Sequence, residues 1–210
     1  MHAFGATTPR IGLPVLLCIL TASSCATTHE SLSPAKENAA MTAEVSTVTN
    51  PPAHTAQDIS KRVLALIEGI RDIHDISPAK IENITGLKIE VNPENSNDYG
   101  TSGKLTDTWY YGLRSMSPDA SDKPNRVLFQ LNDQTHADAD MGPVCVPIDD
   151  YNQALTTAGF ASRKMRNRLN TQDYWEFTRG NVGTTVYVRG KSDPKDTQTC
   201  VSKVVIETYI

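Results

Sequence analysis

The chain has 210 residues, a formal net charge of −4 and a pI near 5.7, with 39% hydrophobic and 21% charged residues. Those values suit one globular domain plus some non-globular chain, and they exclude a dedicated nucleic-acid binder, which needs clustered positive charge to displace phosphate counterions. No apolar run beyond the N-terminus approaches the ~20 residues that span a bilayer.

Arg10 is the only charge ahead of a short apolar stretch, Ile11 to Leu20. About ten apolar residues match the core of an export signal and fall short of a membrane helix. The stretch runs into Ala22-Ser23-Ser24-Cys25, which resembles the lipobox of bacterial lipoproteins, where small residues precede a cysteine that is acylated. The resemblance implies that residues 1–24 are removed on export and that Cys25 becomes the lipidated first residue. With Ala26 following rather than Asp, it also implies sorting to the periplasmic face of the outer membrane. Ala22 stands where that family usually has Leu, which keeps ordinary secretion open as an alternative.

Residues 25–54 are rich in Ala, Thr, Ser and Pro and contain no aromatic residue. Such a segment buries too little apolar area to offset its ordering entropy, so it is read as a tether with a reach of roughly 30 Å. Structure is expected from Thr55. Thr55 and Asp58 have capping-box spacing, and Ile59, Val63, Leu66, Ile67, Ile70 and Ile73 recur at helical intervals. Ser77-Pro78 opens a second short helix that Gly86 stops.

From Leu87 the period changes to two. Leu87 to Val91, Leu105 to Leu113 and Val127 to Leu131 read as strands, with turn-rich loops at 92–103 and 117–125. A helix over 151–158 follows, with Asp149 or Asp150 as cap and Gly159 as stop. Alternation then resumes over 161–169, 174–178, 186–189 and 200–209. The pattern predicts an α+β two-layer sandwich, an antiparallel sheet with helices on one face. Similar helix-then-strands units over 55–135 and 145–210 hint at two half-repeats within one domain, 55–210.

Of the four cysteines, Cys18 falls in the discarded segment and Cys25 carries the lipid, leaving Cys145 and Cys200. An exported pair most simply forms one disulfide, the alternative being two separate buried thiols.

No Gly-x-Ser-x-Gly elbow, His-Glu-x-x-His pair or phosphate-binding glycine loop is present, so no catalytic residue and no cofactor is assigned. The weak metal candidate is His136, Asp138 and Asp140, which extended chain would point one way; the bland reading is a solvated acidic loop. The stronger feature is on the second group of strands. If Met165, Trp175, Phe177, Val186 and Val188 face inward, alternation sends Lys164, Arg166, Arg168, Tyr174, Tyr187 and Arg189 outward. Tyr and Arg are enriched at protein interfaces, where they combine rigid area with hydrogen bonds.

The expectation is a membrane-tethered, non-catalytic periplasmic protein that binds a protein partner, as an immunity protein against a toxin or an inhibitor of a cell-wall hydrolase. The alternatives are an envelope-assembly accessory and a metal-dependent hydrolase.

Overall fold

The structure is a computed structural model describing residues 54–119, 122–166, 173–190 and 199–209. Cys25, the tether up to residue 53 and Arg168 lie outside the described residues.

Helix α1, Ala56–Gly69, begins as its capping pattern predicts. The Thr55 hydroxyl accepts from the Asp58 amide at 3.1 Å, and the Asp58 carboxylate accepts from the Thr55 amide at 3.3 Å. Its stripe of Ile59, Val63, Leu66 and Ile67 is buried. The stripe suggested a helix reaching Ile73, but α1 stops at Gly69, a poor helix former. Two aspartates then hold a tighter path: the Arg71 amide donates to Asp75 at 2.8 Å and the His74 amide to Asp72 at 2.7 Å. Helix α2, Pro78–Thr85, has Pro78 in its first turn and ends at Gly86, whose φ of 64° is the left-handed conformation that favours glycine.

The strands are β1 Glu90–Asn92, β2 Asn95–Lys104, β3 Trp109–Met116 and β4 Arg126–Asp133. After helix α3, Ile148–Thr157, come β5 Ala161–Arg166, β6 Asp173–Arg179, β7 Val182–Gly190 and β8 Thr199–Thr208. They form one eight-stranded sheet in the order β1-β2-β3-β4-β8-β7-β6-β5, antiparallel at every junction. Each half is a helical segment followed by a four-stranded meander, and the halves meet where β4 pairs β8. The predicted α+β class and the helix-then-strands repeat are both present.

Strand β2 corrects the sequence reading, which placed a loop at 92–103. Its Asn, Gly and Ser residues show no apolar alternation, yet its backbone is paired with β3 on one side and β1 on the other. Leu105 to Thr108, expected as strand, is the turn instead: the Leu105 and Thr106 amides both donate to the Trp109 carbonyl, at 2.8 and 3.2 Å. Leu87 and Ile89 give their amides to Thr85 and Glu82 side chains, so the ladder starts only at Glu90. Helix α3 starts at Ile148, with Asp149 and Asp150 in its first turn rather than capping it.

Among the described residues three α-helices cover one face of the sheet. On that face Val186, Val204, Phe129 and Leu113 stand opposite one another in a single buried row. Tyr151 of α3 is buried above it, and its hydroxyl accepts from Ser60 of α1 at 3.0 Å. Val201 and Val204 are both buried although three residues apart. A bulge makes that possible: Tyr187 pairs with Lys203 and Val188 with Val201, leaving Ser202 as the extra residue.

Cys145 and Cys200 form a disulfide, closing the loop ahead of α3 onto the start of β8. Beside it the Val201 amide donates to the Val146 carbonyl at 2.9 Å. Among the described residues no helix is long and apolar enough to cross a membrane.

Candidate interaction surface

Among the described residues the other face of the sheet carries no helix. Directly opposed residues of an antiparallel pair project to the same side, so its composition follows from the register. Across β5 to β8 one row reads Met165, Tyr174, Tyr187, Lys203, continuing to Gln130 and Gly112. The next reads Arg163, Glu176, Thr185, Val205, Leu128, Arg114, Gly100, Glu90.

Tyr174 and Tyr187 stack, with centroids 5.7 Å apart and planes 25° from parallel. The Lys203 ammonium sits 3.9 Å from the Tyr187 centroid. Leu128 at the middle of the face is only 7% exposed. Arg126 and Glu207, directly opposed, form an ion pair at 2.5 Å. The centre of this uncovered face is thus aromatic and aliphatic, bordered by charges matched across strands.

The predicted set does not assemble as a whole. Tyr174 and Tyr187 come together as expected. Lys164 and Arg166 do not join them, because Lys164 stands opposite Trp175 and Arg166 opposite Asp173, on the core-bearing face. The Lys164 ammonium lies 4.9 Å from the Trp175 ring and 2.7 Å from Asp173. Met165 takes the uncovered side beside Tyr174. The phase slipped by one residue because β5 is an edge strand with mostly exposed side chains, so one Met gave no reliable inward mark.

Arg189 is held elsewhere. Its guanidinium donates to the Ala137 and Ala139 carbonyls at 2.5 and 2.8 Å and lies 5.6 Å from the Trp109 ring. Lys203, Leu128 and Val205 were missed, whereas Arg114 lies on the outward face that alternation from Trp109, Tyr111 and Leu113 gives it. Outward positions in β8 are legible only once the bulge at Ser202 is known, and β4 reads from sequence as a core strand.

His136, Asp138 and Asp140 are exposed in a turn rather than aligned along extended chain. Asp140 accepts from the Gly142 amide at 3.1 Å. The neighbouring Asp133 accepts from the Thr135 and His136 amides at 2.8 and 3.1 Å. Hydrogen bonds from the Thr108 and Thr135 side chains hold its carboxyl well below the usual range. Among the described residues no cluster of three or more His, Cys, Asp or Glu is arranged to hold a metal ion.

No family model matches the sequence, no curated protein is similar to it, and no solved structure matches its fold. The surface is therefore read from its own geometry.

Its other half holds a depression of about 500 Å³ between β1 and β4. Gly100, Ser102 and Gly112 floor it, with Glu90 on one wall and Arg114, Leu128 and Gln130 on the other. A Cβ at Gly100 would fall 2.4 Å from the Leu113 carbonyl oxygen, so close backbone approach demands glycine there. A Cβ at Gly112 would meet nothing nearer than the Gln130 Cγ at 4.0 Å.

Proposed function

We propose that this protein is a membrane-tethered, non-catalytic periplasmic binding protein whose uncovered sheet face docks a protein partner. A toxin neutralised by an immunity protein, or a cell-wall hydrolase held by an inhibitor, fits best. The observation carrying this reading is the Tyr174–Tyr187–Lys203 stack beside nearly buried Leu128, on a face that no helix of the described residues covers. Large, pre-packed aromatic side chains on a rigid sheet lose little conformational entropy on binding. Eight strands at ~4.8 Å spacing, averaging between seven and eight residues, offer roughly 950 Å², enough for the ~800 Å² per partner of a standard interface. The lipobox-like Cys25 and the segment after it supply the anchor in this reading, which keeps the domain where an incoming enzyme acts.

The test is capture from envelope extract with full-length protein, followed by reconstitution with the identified partner. Changing Tyr174 and Tyr187 together to Ala should weaken a stoichiometric complex at least tenfold, as hot-spot truncations do. Arg166→Ala, on the opposite face, should leave it unchanged. Affinity unaffected by the double change would remove this surface from the proposal.

A further inference from the structure

Gly112 lies in the interior of β3, where glycine weakens a strand and no neighbour requires it. Its missing side chain has one structural consequence: the depression between β1 and β4 stays open. Of the other strand glycines, Gly100 lies against backbone and Gly190, at the end of β7, is open, and two show what can cover such a position in this chain. A Cβ at Gly103 would collide with the Tyr111 ring, 2.6 Å from Cε1, and a Cβ at Gly183 with the Tyr209 ring, 2.6 Å from Oη. An aromatic ring lies over each, the usual compensation for a bare strand backbone.

The cations follow a parallel pattern. Lys164, Arg179, Arg189 and Lys203 each lie over an aromatic ring of the chain, at 3.9 to 5.6 Å. Arg114 is exposed on the wall of the depression and takes part in neither an ion pair nor a ring contact among the described residues. Glu90 and Asp98 line the same depression and disfavour an anionic ligand, so the complement that suits Arg114 at this partly apolar site is the negative face of a neutral ring. Glu90 and Gln130 on the walls can accept a hydrogen bond from a polar ring tip.

The geometry points to a slot for a hydroxyl- or N–H-bearing aromatic side chain, Tyr or Trp, presented on a protruding loop of the protein partner. The ring covers Gly112, its face meets Arg114, and its donor reaches Glu90 or Gln130. This rests on the reading of the uncovered face as the docking surface and specifies what one part of it receives.

The probe is N-acetyl-tyrosinamide, titrated at millimolar concentration into 15N-labelled full-length protein and followed by amide chemical shifts. N-acetyl-leucinamide and methyl glucoside are the comparison probes. The expected result is saturable shifts at Gly100, Ser102, Gly112 and Gln130, with about two- to fivefold preference over leucinamide from the cation–ring term. Gly112→Leu should abolish them without lowering the thermal midpoint. Equal response to leucinamide, preference for the glucoside, shifts centred elsewhere, or an indifferent Gly112→Leu would each overturn the slot. The two readings fail separately: partner affinity lost on changing Tyr174 and Tyr187 but kept in Gly112→Leu sinks the slot alone, and affinity unaffected by the tyrosine changes sinks the docking surface.

Discussion

Arg179 at the end of β6 donates to the backbone carbonyl of Glu68 at 2.8 Å, across 111 residues of sequence. The same guanidinium reaches the Ile70 and Ala158 carbonyls at 3.3 Å each and lies 4.2 Å from the Phe160 ring. One side chain thus satisfies terminal carbonyls of α1 and α3 and fixes both helices to the sheet.

Arg179→Ala should lower stability by about 2–3 kcal/mol, because it orphans partly buried carbonyls as well as removing the cation. For a domain of this size that is roughly 5–10 °C in thermal midpoint. Calorimetry checks it. Arg163→Ala, an exposed change on β5, should move the midpoint by roughly 2 °C or less.

Reducing the Cys145–Cys200 bridge should lower the midpoint on the order of 10 °C. Its separation of 55 residues corresponds to about 4 kcal/mol of chain-entropy stabilisation, an upper figure for a partly compact unfolded state. Cys145→Ser with Cys200→Ser should reproduce the loss and make it insensitive to reductant. An unshifted midpoint on verified reduction would contradict it.

Burial pushes the Tyr99 phenol up to about 12, and pushes Tyr151 above its ordinary value as well. In the unfolded chain both ionise near pH 10. A folded-state pKa raised above the unfolded one means stability that is full below pH 10 and lost as pH rises toward the folded value. Alkaline unfolding should therefore steepen above pH 10. Tyr99→Phe should flatten that loss while losing the hydrogen bond to the Ile76 carbonyl, 3.0 Å long in the wild type. Unfolding curves from pH 8 to 12 read the slope.

The acid side has the opposite sign. Asp133 is held below the carboxylate range by Thr108 and Thr135, so its contribution is present above about pH 4 and fades as pH falls through the folded value. The midpoint difference between wild type and Asp133→Ala should shrink steadily from pH 5 toward pH 2.

Gly112→Ala should raise stability by about 0.4–1 kcal/mol, since the added Cβ restricts the unfolded chain and meets only Gln130 Cγ at 4.0 Å. A gain in midpoint coupled to weaker partner binding would mark a position where glycine serves recognition rather than folding.

Local chemistry alone determined the α1 cap at Thr55 and Asp58, the stop at Gly86 and the inward alternation of Val186 and Val188 in β7. Each is decided within a few residues by one hydrogen bond, one backbone conformation or one burial period. The Cys145–Cys200 pairing was reached by arithmetic on four thiols. Only the tertiary structure decided which strands are neighbours, and hence which face each side chain shares. Strand β2 has no apolar alternation because backbone pairing, not burial, holds it, and β5 lies at an edge where no core fixes its phase. One residue of register separates Lys164 and Arg166 from the tyrosines, and register is set by long-range hydrogen bonds that no local pattern records.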